Sequence, residues 1–411
     1  MEVKKGYKQT EIGMIPSDWE VKRLGELGRF SKGQGIKKDE AQSGDIPCIR
    51  YGEIYTKHDN VIKEFYSFIS PSVAKTAKKI RQGDILFAGS GETKEEIGKC
   101  VANTISAEAY AGGDIVILSP LNADPLLLGY LLNSPPIAKQ KSSKGQGDAV
   151  VHISAKGLKG VVVSLPKTKS EQSAIAAVIS ETDSLITNLE KLIAKKEAIK
   201  KGTLEALLTG KKRLPGFSEK WKYKTLGEIG ECIIGLTYTP SNVSESGLLV
   251  LRSSNIKNNS ISFDDSVYVS IDVPEKLITI KGDLLICVRN GSRNLIGKCA
   301  IIDTQAANQT FGAFMSVFRS VYNDFIFHVF QSNIIKKQID ENIGATINQI
   351  TNKNLNSFKI PFPDKEEQSA ITEVLNDLSK ETAQLEEKLA KCKQLKTGLM
   401  SQLLTGKIRL L

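Results

Sequence analysis

The chain carries one unit twice. Trp19-Glu-Val-Lys-Arg-Leu-Gly-Glu-Leu-Gly28 recurs as Trp221-Lys-Tyr-Lys-Thr-Leu-Gly-Glu-Ile-Gly230, an offset of 202. Gly83-Asp-Ile-Leu86 recurs as Gly282-Asp-Leu-Leu285, and Ile97-Gly-Lys-Cys100 as Ile296-Gly-Lys-Cys299, both at 199. Asn133-Ser134 with Ile137-Ala-Lys-Gln140 returns as Gln331-Ser332 with Ile335-Lys-Lys-Gln338 at 198. Glu171-Gln-Ser-Ala-Ile175 returns as Glu367-Gln-Ser-Ala-Ile371, and Leu208-Thr-Gly-Lys211 as Leu404-Thr-Gly-Lys407, both at 196. The offset drifts through the first part of each unit and is constant through the second. Loops absorb insertions, whereas a helix held by packing does not. Each unit is therefore a loop-rich globular part followed by a length-constrained helix.

The globular parts, before about residue 168 and from about 213 to 363, show short apolar runs broken by Gly, Pro, Asn and Ser. Gly83–Phe87, Asp114–Leu118, Gly160–Leu165, Gly282–Val288 and Ser357–Pro361 read as strands, with a helix near Leu126–Leu132 and another over Phe325–Ile339. The fold class is α+β. Segments 169–209 and 365–405 read as long helices. In the first, Ile175, Val178, Thr182, Leu185, Leu189, Leu192, Lys196 and Ile199 alternate at spacings of three and four, the pattern of a coiled-coil seam. The second offers Ile371, Val374, Leu378, Glu381, Leu385, Lys388, Cys392 and Leu395 at the corresponding places. About 39 residues make a rod of roughly 58 Å, longer than a domain of this size is wide, which argues against two helices packed only on their own domains. Leu208 leads almost directly into the second globular part, so the second helix must run back along the first. The expectation is an antiparallel coiled coil joining two similar domains about an approximate two-fold axis.

Composition narrows the function. A formal net charge of +10 favours a polyanionic partner, because Lys and Arg contacts to phosphate release condensed counterions. Six scattered cysteines without a Cys-x-x-Cys pair, and three isolated histidines, predict neither a zinc site nor a disulfide framework. No apolar run is long enough to span a bilayer, and Met1–Thr10 carries no signal-like stretch, so no membrane association is expected and the cytoplasm is the expected compartment. Two related domains held apart by a rod suit DNA, on which half-sites about one turn (~34 Å) apart share a face of the duplex.

Enzymatic activity of the chain itself finds no motif. Asn133-Ser-Pro-Pro-Ile137 departs from the Asn/Asp-Pro-Pro-Tyr/Phe pattern of an adenine methyltransferase and reads as a helix stopped by prolines. Gly33-Gln-Gly35, Gly89-Ser-Gly91 and Gly145-Gln-Gly147 lack the third glycine of a dinucleotide loop. Gly210-Lys211 and Gly406-Lys407 read as helix C-caps, not phosphate loops. The alternative of an autonomous DNA methyltransferase or nuclease is disfavoured: no catalytic, cofactor-binding or metal-binding residue is predicted.

Residue types suited to bases or phosphates in polar loops nominate DNA contacts. In the first unit these are Lys32, Gln34, Lys37, Arg50, Tyr51, Ser90, Lys141, Ser143 and Lys144; in the second, Tyr238, Arg252, Ser254, Asn255, Arg289, Asn290, Arg293, Asn294 and Asn348.

Tyr7-Lys-Gln-Thr-Glu-Ile-Gly-Met-Ile-Pro-Ser-Asp-Trp19 resembles the opening of the specificity subunits of type I restriction–modification systems, and Leu214-Pro-Gly-Phe-Ser-Glu-Lys-Trp221 resembles the start of their second half. Pro361-Phe-Pro-Asp-Lys-Glu-Glu-Gln-Ser-Ala-Ile371 and the Leu-Leu-Thr-Gly-Lys helix ends are similar too, so the likeness spans the chain. The resemblance implies target-recognition domains at 1–168 and 213–363 and helical spacers at 169–212 and 364–411. It implies that each domain binds half of a split double-stranded DNA site, and that the helices dock two modification subunits. Those subunits would carry S-adenosylmethionine and methylate adenine, and separate restriction subunits would use ATP and Mg to translocate and cut DNA, with no cofactor in this chain.

Overall fold

The computed structural model describes residues 5–344 and 348–410. It resolves into two compact units, Met1–Glu190 with Lys388–Leu411, and Lys191–Glu387. Each holds one globular domain and a stretch of both long helices, Lys169–Leu208 and Lys365–Leu403.

The two domains are built alike. In the first, strands Gly28–Lys32, Ile115–Pro120, Ile85–Ala88 and Cys100–Asn103 lie side by side in that order, and the sheet is extended by Val61–Ile62. In the second, Glu231–Ile234, Met315–Arg319, Leu284–Cys287 and Cys299–Ile301 repeat the order. A further four-stranded sheet in each domain contains a parallel pair, Ile46–Ile49 with Ala109–Ala111 and Leu248–Leu251 with Thr310–Phe311. The repeated Gly-Asp pairs explain how the central strands begin. Gly83 and Gly282 adopt φ of 91° and 90°, where a side chain would strain the backbone. The Asp84 and Asp283 carboxylates then accept from the Arg81 and Ile280 N–H groups. The strands that follow are buried at every position, which is why they read as continuous apolar runs.

Sequence reading places one helix over Phe325–Ile339; the structure has two, Asn323–Phe330 and Asn333–Asn342, split where the Ser332 hydroxyl caps Ile334 N–H. Its counterpart is split likewise, and Pro135 opens the helix Pro135–Ser142, so these prolines start a helix as well as follow one.

The repeated motifs converge at one joint per unit. In the first, Arg409 grips the buried Glu171 carboxylate (Nε to Oε1 2.5 Å, Nη2 to Oε2 2.8 Å) and packs over Trp19. In the second, Arg213 grips Glu367 (2.6 and 2.7 Å), which also accepts from Trp221 Nε1 at 2.6 Å. Gly210 and Gly406, both at φ 69°, end the long helices and turn these arginines into place, so the C-cap reading holds.

The long helices are antiparallel. In the first unit Asp183 pairs with Lys396 at 2.5 Å and Glu190 with Lys393 at 2.7 Å, so one helix rises as the other falls. In the second, Lys196 pairs with Glu381 at 2.6 Å, while Leu204 and Leu208 share a core with Ile371 and Leu375. The expected seam needs correction. Ile175, Ile179, Thr182, Ile186, Leu189 and Ile193 are the buried positions, whereas Leu185 (42% exposed), Leu192 (38%) and Ile199 (42%) face solvent, and Val178 is half-buried. On the second helix Ile371 is buried and Val374, Leu378 and Leu385 are half-buried, but Leu395 is 55% exposed. Two registers one residue apart share Ile175, Thr182 and Leu189, and both are apolar. Packing of Ile175, Ala176 and Ile179 on the domain core selects between them.

Candidate nucleic-acid interface

Each domain has a point where several loops are pinned by the same backbone bonds. In the first, Gly33 N–H donates to Ile115 O, Gly89 N–H to Asp114 O, Gly112 N–H to Ile49 O and Ile153 N–H to Gly89 O. In the second, Gly235 N–H donates to Met315 O, Val288 N–H to Phe314 O, Gly312 N–H to Leu251 O and Ile350 N–H to Val288 O. The backbones come so close that a Cβ on Gly33 or Gly235 would stand 1.9 or 2.2 Å from the carbonyl oxygen of Gly112 or Gly312, and only glycine fits.

Arg50 and Arg252 begin short helical turns at this crossing. Their N–H groups donate to Glu53 Oε2 and Asn255 Oδ1, both at 2.9 Å. Asn255 is fully buried, donating also to the carbonyls of Ser262 and Asp265, so it is a structural cap and not a DNA contact. Arg252 reaches Asp265 at 2.8 Å; hydrogen bonding from Ser254 and the Arg252 charge hold that carboxyl below the usual carboxylate range. Tyr238, Arg252, Ser254, Val243 and Phe314 line a mostly apolar cleft of about 660 Å³. Asn290 donates to Ser253 Oγ (3.0 Å) and Asn348 to Gly291 O (2.9 Å), which places both on the same rim. Arg289 is exposed and stacks over Phe314, 4.8 Å from its ring centre. Arg293 and Asn294 are exposed nearby in sequence, Arg293 being tied to Asp340 at 3.2 Å.

In the first domain Lys32, Gln34, Lys37, Tyr51 and Ser143 are exposed, and Arg50 and Lys144 half-buried. Two nominated residues are not surface groups. Lys141 is 2% exposed; its ammonium donates to Gly98 O at 2.6 Å, and burial pulls its pKa down. Ser90 is also buried, and its hydroxyl lies 2.9 Å from His152 Nδ1. A polar residue type in a turn does not reveal whether its side chain points inward. His152, Phe314 and Gln349 stand at the crossing although sequence reading did not nominate them. The signal was the repeat itself, for Ser90 bridges His152 as Arg289 bridges Gln349. The six cysteines are buried and unbridged, and among the described residues no helix is long and apolar enough to cross a membrane.

The family described as "Type I restriction modification DNA specificity domain" matches twice, over residues 16–201 and 218–394. The chain belongs to this family. Among curated relatives, the type I restriction enzyme MjaVIII specificity subunit of Methanocaldococcus jannaschii is 25% identical, covering 98% of this chain and 96% of its own length. The EcoKI specificity subunit of Escherichia coli is 28% identical over 39% of this chain and 36% of its own length. The fold matches that of the type I restriction–modification S subunit from M. genitalium, with a TM-score of 0.61, 15% identity and 98% coverage of both chains. A chain from a type I restriction–modification assembly gives 0.57, with 18% identity and 96% and 99% coverage. Membership in the specificity family thus rests on both halves of the chain, as the internal repeat requires.

Proposed function

We propose that this chain is the non-catalytic recognition subunit of a type I restriction–modification complex acting in the cytoplasm, and that each domain reads one half of a bipartite double-stranded DNA site. The observation that carries this reading is the crossing point. The two domains share its backbone bonds and differ in the side chains displayed on it, as two readers of different half-sites would. The +10 charge supplies attraction for phosphates. The antiparallel helices set the spacer between half-sites. Leu185, Leu192 and Ile199, exposed at seven-residue spacing on one helix, offer an apolar stripe on which modification subunits dock. Two such subunits supply S-adenosylmethionine and methylate adenine; restriction subunits supply the ATP- and Mg-dependent step. Deleting the gene should erase one split adenine-methylated motif from the host methylome, and the purified chain alone should neither methylate nor cut DNA. An unchanged methylome, or methyl transfer by the isolated chain, defeats the proposal.

A further inference from the structure

The crossing offers more than a place for contacts, because the two domains can be superposed on it bond by bond. Ser90, Asp114 and His152 in the first domain occupy the positions of Arg289, Phe314 and Gln349 in the second. Shared backbone bonds with unlike side-chain chemistry are what separate a reading position from a framework position.

In the second domain Arg289 is distinguished from its neighbours. Arg252 and Arg293 are engaged by Asp265 and Asp340, whereas no carboxylate among the described residues holds the Arg289 guanidinium. Its guanidinium lies over the Phe314 ring, 4.8 Å from the ring centre, and that ring is itself 55% exposed. A stacked guanidinium keeps its edge nitrogens available as two parallel donors, matching the O6 and N7 acceptors that guanine shows in the major groove. In the first domain the same place displays a carboxylate acceptor beside an imidazole ring. Asp114 is exposed, and Ser90 fixes the exposed His152 ring through Nδ1. A carboxylate on a face turned toward phosphates is tolerated where it accepts from an exocyclic base amine, as on cytosine or adenine.

We infer that this crossing is the base-discriminating point of each domain: Arg289, held by Phe314, reads a guanine in one half-site, and Asp114 with His152 reads an amino-bearing base in the other. The inference rests on the proposed bipartite reading and can fail without it. The test uses the full chain expressed with its own modification subunits and is read by methylome sequencing. Arg289→Lys keeps the charge and loses the planar fork. It should relax preference at a single guanine of one half-site by about 5- to 150-fold, with the other half-site unchanged. Phe314→Ala should relax the same position, and Asp114→Asn or His152→Ala should alter only the opposite half-site. An unaltered motif for Arg289→Lys overturns the inference, as does uniform weakening with a shallower salt dependence, which marks a phosphate contact. Changes in both half-sites from a single substitution overturn it too. If the unsubstituted chain directs no split motif, the functional proposal fails instead.

Discussion

At the scale of single residues, the repeat shows how one position can carry different chemistry in the same fold. Tyr130 and His328 are equivalent buried positions. The Tyr130 hydroxyl donates to Asp183 Oδ2 at 2.8 Å, whereas His328 Nε2 lies 3.0 Å from Asn376 Oδ1 and its Nδ1 is buried without a partner. A protonated ring would leave a buried N–H unsatisfied, and burial lowers the His328 pKa to about 4. Because the folded value lies below the ordinary 6.5, the stabilisation is fully present above pH 6.5 and is lost as pH falls toward 4. His328 should therefore cost about 2 kcal/mol of stability between pH 7 and 5. Denaturant unfolding of His328→Phe at the two pH values should show a drop smaller by that amount. Equal drops in variant and parent would mean that the ring titrates normally.

At the scale of elements, strands and long helices were legible because their signals are local. Four-residue apolar runs behind a Gly-Asp turn mark central strands, and glycine after Leu-Leu-Thr marks a helix end. The seam register was not legible, since Val178 and Ile179, Leu185 and Ile186, and Leu192 and Ile193 offer adjacent apolar choices. The burial of Lys141 was equally hidden: its counterpart Ile339 is apolar, and only the fold shows that the lysine stem fills the same space. Of the candidate site, the loops that meet at the crossing could be nominated by composition, but not which of their side chains point outward. The seam also decides where the helices can be lengthened. Leu204 and Leu208 belong to the core of the second domain, so an insertion beside them would shift packed residues. Seven residues inserted after Glu190, with seven after Glu387, preserve the heptad and add about 10 Å. The unmethylated spacer should grow by about three base pairs while both half-sites stay the same. A fixed spacer in the methylome of such a strain would remove the helices from the role of ruler.

At the scale of the molecule, each unit is completed by a helix end that the other half of the sequence supplies in equivalent form. Arg409, Gly406 and Leu404 close the first joint, and Arg213, Gly210 and Leu208 close the second. A fragment of residues 1–213 contains the first domain and one set of closing residues, Leu208, Gly210 and Arg213, so two copies can complete each other. The ion pairs give this homodimer a definite weakness. At the offset of 196, Lys200 replaces Lys396 and preserves the pair with Asp183, but Glu197 replaces Lys393 and sets two carboxylates together at Glu190. Lys196, which pairs with Glu381, meets Leu185 instead. The apolar joint outweighs two half-exposed like-charge contacts, each worth only a few tenths of a kcal/mol. The fragment should therefore dimerise in sedimentation experiments and, with the modification subunits, direct methylation to a symmetric site made of the first half-site and its inverted repeat. Glu197→Lys recreates the Glu190 pairing and should tighten the dimer by about 5- to 10-fold at low salt, with the gain fading as salt rises. A fragment that stays monomeric even with Glu197→Lys would show that the two helix ends are not interchangeable, despite their shared Arg–Glu joint.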